Sequence, residues 1–248
     1  MLDLSVTLIT LNEEKNIRRC LHSIKDIAAE IIIVDSGSTD KTLDIAKEFG
    51  AHIHSIPWQG YGPQKNTALS FATKKWVLSI DADEEVSPEL ATRLSSLLSA
   101  TPTPVGYKIP RPVIFMGKKI RYATGSSFDV RLFLRGKGSF TPVSVHESLV
   151  IEGAIAALHE PLYHYSFGSV EDILSKLNKY TSLVAQQRYQ QGKRGSIFKA
   201  ITHSLSMFLK VYILKRGFLD GAPGFILAVS FAQGAYYRYI KLYEKGRG

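Results

Sequence analysis

The sequence predicts an α/β fold, a mixed sheet flanked by helices, followed by a C-terminal helical region. Three observations carry this. Apolar runs alternate with helical stretches through the first 90 residues. Three of those runs end in polar clusters. From Ser169 onward the pattern is helical to the end. Strand–helix alternation at this spacing builds βαβ units and a parallel sheet.

LSVTLI (residues 4–9) is a short β-rich run, and NEEKNIRRCLHSI (12–24) follows with Ile17, Leu21 and Ile24 at helical spacing. EIIIVDS (30–36) is a continuous apolar run of the kind buried on both faces of a parallel sheet. GSTD turns the chain, and KTLDIAKEFG reads as a helix closed by Gly50. AHIHSI (51–56) is a third strand, QKNTALSFATK (64–74) a third helix and WVLSID (76–81) a fourth strand. Ser87-Pro88 then caps another helix. Residues 105–165 give short β-type runs separated by Gly, Pro and Ser, which read as an antiparallel or mixed part completing the same domain. Ser169 is the expected N-cap of a long helix to about Gln191; GKRGS (192–196) is a hinge, and helices follow over roughly 196–216 and 223–243. The expected domains are 1–168 and 169–248.

The formal charge of +9 is unevenly placed. Residues 1–168 carry 18 basic and 18 acidic residues, whereas residues 169–248 carry 13 basic against 4 acidic. A neutral body with a basic tail calls for a polyanionic partner. Nucleic acid is disfavoured, since no recognised motif accompanies the charge. An anionic membrane surface fits better. Ile197, Ile201, Leu205, Phe208, Leu209 and Tyr212 form a helical stripe flanked by Lys199, Lys210, Lys215 and Arg216. Packing on the body, or on a second copy through the C-terminal helices, is the competing use of that stripe. No signal peptide is legible, and the longest weakly polar stretch, residues 222–237, falls short of the roughly 20 apolar residues a spanning helix needs. Cys20 is the only cysteine, so no internal disulfide forms, which suits a reducing compartment.

Ligands of parallel sheets bind outside the carboxyl ends of the strands. The three clusters there are residues 10–13, residues 35–40 and Asp81-Ala82-Asp83. Asp-x-Asp offers hard oxygen ligands for Mg²⁺ or Mn²⁺, with phosphate oxygens completing the shell. Taken alone, acids before a helix more often serve its N-terminus, and Glu84 and Glu85 read as solvated or capping residues. Asp35 closes a buried strand where an acid can bond a base or ribose hydroxyl, while Asp40 reads as a plain N-cap. Thr10, Asn12 and Glu13 lie where they could line the same nucleotide. Neither GxGxxG nor GxxxxGKS occurs.

LITLNEEKNIRRCLHSI, IIIVDSGSTDKTLDIAKEFG, QKNTAL and WVLSIDADEEVSPEL together resemble the family 2 glycosyltransferases, with their Rossmann-like GT-A fold, over about the first 165 residues. KLNKYTSLVAQQ and LKRGFLDGAPGFILA narrow the resemblance to bacterial lipopolysaccharide core β-glucosyltransferases acting on inner-core heptose. The resemblance implies an inverting transfer of a hexose, with glucose expected. The donor would be a nucleotide sugar, most often UDP-linked, and the acceptor a lipopolysaccharide core or other lipid-linked molecule. It implies that Thr10, Asn12 and Glu13 line the nucleotide, that Asp35 contacts the base and that Lys65 sits near base or diphosphate. Asp81 would touch ribose or metal, and Asp83 would bind Mg²⁺ or Mn²⁺. Inversion also needs a carboxylate base. Glu147 in PVSVHESL, beside His146, resembles the family's His-Glu motif and is the first candidate; Asp129 is the second. Arg131 shares a strand face with Asp129 and would pair with a carboxylate or the diphosphate. His164 is a candidate metal ligand, although a lone histidine is more often simply packed. A polyisoprenyl-phosphate glycosyltransferase and a non-catalytic nucleotide- or membrane-binding module are the alternatives. The expected location is cytoplasmic, peripheral on the inner face of a bacterial cytoplasmic membrane.

Overall fold

A computed structural model describes residues 1–100, 103–141 and 148–247 of the chain. It divides into two compact units, Met1–Arg111 with Ser127–His164, and Pro112–Ser126 with Tyr165–Gly248.

The first unit opens with β1 (Leu4–Thr10), α1 (Ile17–Ile24), β2 (Glu30–Asp35), α2 (Thr42–Glu48), β3 (His52–Ser55), α3 (Tyr61–Ser70) and β4 (Trp76–Ser79). After β5 (Glu84–Val86), α4 (Pro88–Ser99) and β6 (Gly106–Pro112), the chain makes the small hairpin β7 (Ile114–Phe115) and β8 (Lys118–Lys119) of the second unit. It returns as β9 (Ser126–Leu134), β10 (Gly138–Phe140), β11 (Leu149–Ile151), β12 (Ile155–Ala157) and β13 (Leu162–His164). The main sheet has the order β12-β6-β9-β4-β1-β2-β3. β4, β1, β2 and β3 run parallel, and β9 is antiparallel to β4. The mixed sheet flanked by helices is the expected architecture.

Alternation along the strands explains its two-sided burial. Ile31 and Ile33 of β2, with Trp76 and Leu78 of β4, join the larger core against Ile17, Cys20, Leu21 and Ile24 of α1. Ile32 and Val77 point the other way, into a second cluster with Ala72 and Phe133. Fully burying one such side chain contributes about 1.5–3 kcal/mol. The register sets Thr10 opposite Asp35 and Asp35 opposite Ser55, so the polar strand ends share one edge.

Three local readings change. α1 starts at Ile17 rather than near Asn12, because Asn12 takes a left-handed φ of 56° and its loop bonds to residues 38–42 instead. Asn tolerates that conformation better than most residues. α3 begins earlier, at Tyr61: Gly60 at φ 106° turns the chain, and Pro63 falls in the first turn, where no intrahelical donor is required. The acids after Asp83 form β5, paired antiparallel with β13, before the helix begins.

The second unit holds α5 (Val170–Gln190), α6 (Ile197–Leu209), a π-turn (Lys210–Leu214), a 3₁₀ turn (Gly217–Asp220) and α7 (Ala222–Lys245). Ser169 and Ser196 cap α5 and α6, accepting from the N–H groups of Asp172 and Lys199. Phe115, Ile120 and Ala123 pack with Ile173, Val211, Leu227 and Ala228. The Asp220 carboxylate accepts from the backbone N–H groups of Arg121, Tyr122 and Ala123 at 2.9, 3.0 and 2.8 Å. Residues 112–126 therefore fold with the helices, although their sequence pattern resembles the β-rich part.

Residues 222–237 fall short of a span, as expected; among the described residues the stretch that is long and apolar enough is 197–214. It is an 18-residue helix of mean hydropathy 1.3, apolar and long enough to cross a membrane by length and composition, with 11% of it buried. Lys199 and Lys210 interrupt it in the sequence, which is why the run is hard to see there. In α7, Leu227, Ala228, Ala232 and Ala235 are buried instead.

Candidate active site

The carboxyl edge of the parallel strands carries Thr10, Asn12, Glu13, Asp35 and Asp81 of the predicted residues. Thr10 ends β1 and donates its hydroxyl to Asp35 Oδ2 at 2.7 Å. Asp35, ending β2, also accepts from the N–H groups of Gly37 and Ser38 at 2.9 and 2.8 Å and from the Ser38 hydroxyl. Burial pushes its carboxyl up, but these hydrogen bonds outweigh burial and hold it below the usual aspartate range. Its lone pairs are thus engaged in shaping the loop after β2. The Asn12 N–H donates to Ser38 Oγ at 2.8 Å, and Asn12 Oδ1 accepts from the Thr39 N–H at 2.8 Å. The Glu13 N–H donates to Thr42 Oγ1 at 2.8 Å. Asp40 accepts from the N–H groups of Glu14 and Thr42, so it joins the two loops besides capping its own turn. The result is one stitched rim made from the ends of β1 and β2.

Beside this rim lies a partly buried charge network centred on Asp81. Lys65, on α3, places Nζ 3.1 Å from Asp81 Oδ1. Arg131, on β9, reaches Asp81 Oδ2 at 2.9 Å, and Arg111, on β6, reaches the same oxygen at 3.3 Å. Burial alone would raise the Asp81 carboxyl; Arg131, Lys65 and Arg111 overcome it and hold it well below the usual range. The same two arginines bind Glu84, Arg111 through a short contact and Arg131 at 3.1 Å. Arg111 also donates to Asp129 Oδ2 at 2.7 Å, where Ser127 Oγ adds a second bond at 2.8 Å. These bonds bring Asp129 below its ordinary value despite burial. Arg131 is raised, since Glu84 and Asp81 outweigh its desolvation. A cavity of about 330 Å³ opens here, lined by Lys65, Asp81, Arg111, Asp129, Arg131 and Phe140. That is the lower end of the size range of small-molecule sites.

Glu84 departs from its sequence reading. It is fully buried rather than solvated, and burial pushes its carboxyl up while Arg131 and Arg111 pull it down. Its second oxygen accepts from the Asp81 N–H at 2.8 Å, which fixes the turn of the Asp-x-Asp segment. Glu85 is half-buried, 3.9 Å from Arg19. Arg111 is a second member of this network that the sequence pattern missed. It ends an ordinary β-type run, and nothing local marks it.

The two aspartates point to different surroundings. Asp81 faces the cations, whereas Asp83 faces His164, with Oδ2 3.4 Å from Nε2. β13 carries His164 there by pairing opposite Glu84 of β5. Asp83 and His164 are chemically suited to Mg²⁺ or Mn²⁺, and both are partly exposed. No group of three or more His, Cys, Asp or Glu is arranged to hold a metal among the described residues, so Asp81 does not complete a triad with them. Glu147 and His146 lie outside the described residues.

Comparison with known proteins gives this edge its context. The model of glycosyl transferase family 2 matches residues 5–137. LpsC, a lipopolysaccharide core biosynthesis glycosyltransferase of Rhizobium meliloti, is 34% identical over 256 residues, covering 98% of this chain and 93% of LpsC. An uncharacterized glycosyltransferase of Rickettsia typhi is 36% identical over 256 residues, covering 98% of this chain and 88% of the relative. Among solved structures, S. aureus TarS in complex with UDP shares the fold, with a TM-score of 0.50 and 18% identity over 98% of this chain and 91% of that one. With the family model spanning more than half of the chain and relatives matching nearly all of it, the chain belongs to glycosyl transferase family 2 and is a glycosyltransferase of the GT-A fold.

Proposed function

We propose that the protein transfers a hexose, with glucose the first candidate, from a UDP-linked donor to a lipopolysaccharide core or similar lipid-linked acceptor, with inversion. The observation that carries the donor half is the convergence of Lys65, Arg111 and Arg131 on Asp81 at the strand edge. Three cations around one carboxylate form a site that can exchange partners with a diphosphate, for which arginine's planar fork is well suited. The likeness to LpsC along nearly the whole chain supports the acceptor class.

In this reading the rim of Thr10, Asn12, Glu13 and the loop shaped by Asp35 borders the nucleoside. Lys65, Arg111 and Arg131 hold the diphosphate. Asp83 and His164 would hold a divalent cation, which when bound neutralises charge on the departing diphosphate. The acceptor oxygen attacks the anomeric carbon from the opposite side as the carbon–oxygen bond to the diphosphate breaks, and the acceptor proton passes to a carboxylate. Glu147 is the proposed base. Asp129 is the weaker choice, because Arg111 and Ser127 keep it ionised at a lowered proton affinity.

The test is turnover of a panel of nucleotide sugars with Mn²⁺ or Mg²⁺, with EDTA controls, on the wild type, Asp83→Ala and Glu147→Gln. One donor should turn over with metal. Asp83→Ala should lose metal-dependent donor binding, and Glu147→Gln should bind donor without transfer. Normal transfer by Glu147→Gln moves the base to Asp129. Absence of donor binding with metal overturns the proposal as a whole.

A further inference from the structure

We infer that α6 and its π-turn form an in-plane docking element for an anionic lipid bilayer. α6 is two-faced. One side packs within its own unit: Ala200 and Val211 are buried, Met207 and Phe208 lie against the helical core, and His203 stacks on Tyr239 with centroids 4.5 Å apart. The opposite side exposes Phe198, Ile201, Leu205, Leu209 and Ile213, spaced three or four residues apart. Phe198 is 76% exposed and Leu214, at the end of the π-turn, 78%. Leu219 and Phe225 extend the apolar surface beyond the turn. So long an unpartnered apolar stripe needs a partner.

Charge identifies the partner. Lys199 and Lys210 flank the stripe on one side, with Lys215 and Arg216 at its end, and all four are exposed. Residues 173–219 contain nine basic residues and no acidic one. An apolar face bordered by cations matches the headgroup boundary of an anionic bilayer, with apolar side chains among the upper acyl chains and lysines on the phosphates. A second copy of the chain would bring the same positive charge to the same face.

The helix lies in the surface rather than crossing it. Length and hydropathy alone permit a span. A span, however, must be apolar all round, and this helix carries Lys199, Thr202, His203 and Lys210, with one side committed to protein packing.

The inference goes beyond the transferase reading and is tested without any nucleotide sugar. Full-length protein is mixed with vesicles of phosphatidylcholine alone, or of phosphatidylcholine with phosphatidylglycerol, at low and high salt, and the bound fraction is read by flotation. Wild type should float with the anionic vesicles and be released by high salt or alkaline carbonate. Phe198→Asp with Leu205→Asp should lower the vesicle partition coefficient at least about tenfold. Lys199→Glu with Lys210→Glu should lower it by roughly fivefold or more per lysine. Both pairs are exposed, and circular dichroism checks that the variants fold. Binding unchanged in both variants overturns the inference. Retention after carbonate overturns the in-plane geometry. A wild-type dimer that ignores vesicles and is split by Phe198→Asp with Leu205→Asp assigns the face to a second copy.

Discussion

Lys65 and Asp81 form a partly buried ion pair, Nζ to Oδ1 at 3.1 Å, between a helix and the loop after β4. Lys65 also lies 5.3 Å from the centroid of the Phe140 ring, so its position is fixed from two sides. Lys65→Met should raise the KM for the donor at least about tenfold, in line with the roughly 1.5–3 kcal/mol of a charge-assisted hydrogen bond. kcat should change less. Steady-state kinetics against donor concentration checks the split, and Lys65→Arg should recover part of the loss.

Arg111 binds three carboxylates at once, those of Asp81, Glu84 and Asp129. Arg111→Met leaves Glu84, wholly shielded from solvent, with one cation fewer. Breaking a buried ion pair from one side costs roughly 3–5 kcal/mol. Urea unfolding should show a loss of that order, and adding Glu84→Gln to the variant should restore part of it.

Acid should destabilise the protein through its hydrogen-bonded aspartates. Asp35 is held below its ordinary value of 3.8 when folded, so below about pH 5 the unfolded chain binds more protons. Its contribution is complete above that range and is lost as the pH falls through 3.8 and beyond. Asp81 and Asp129 act in the same direction. Glu84 opposes them: raised above 4.5, it holds its proton more tightly when folded and gives up that share as the pH rises. The urea midpoint should fall between about pH 5 and pH 3, and Asp35→Asn should flatten that slope.

Asp83 and His164 should behave as a metal-binding pair. Either alanine substitution should weaken Mn²⁺ binding in the presence of UDP by more than the roughly 10–100-fold that loss of a supporting partner alone costs. Calorimetry on each variant checks this. Unchanged affinity in both removes them as ligands.

Asp220 ties residues 121–123 to the 3₁₀ turn through three backbone N–H groups. Asp220→Ala leaves those donors without their carboxylate. A loss of roughly 2–3 kcal/mol is expected, since hydrogen bonds to a charged group are worth more than neutral ones. Hydrogen exchange at the amides of Arg121, Tyr122 and Ala123 should accelerate.

The sequence made the strand ends legible because parallel strands announce themselves by apolar runs, and their carboxyl ends by abrupt polarity. Thr10, Asp35 and Asp81 stand out in the sequence for that reason. Glu84 does not, because four acids within five residues read as solvated; its two arginines come from 27 and 47 positions downstream. Arg111 was missed for the same reason, since only sheet topology brings β6 near the end of β4. Lys65 and His164 came from the family likeness rather than from any local pattern. On α6 the helical spacing marks Ile201, Leu205 and Leu209 correctly, but Phe208 and Tyr212 of the same expected stripe pack against the helical core, and Phe198 and Ile213 are exposed in their place.

The helical unit is assembled from two separate stretches of chain, Pro112–Ser126 and Tyr165–Gly248. A gene truncated after residue 168 would strand Phe115, Ile120 and Ala123 without the apolar partners that cover them. Helical tails exchanged between relatives would meet the same obstacle. This tail is not a detachable cassette: recombination that moves it must also carry an insertion lying some forty residues upstream, between the two strands that bear Arg111 and Asp129.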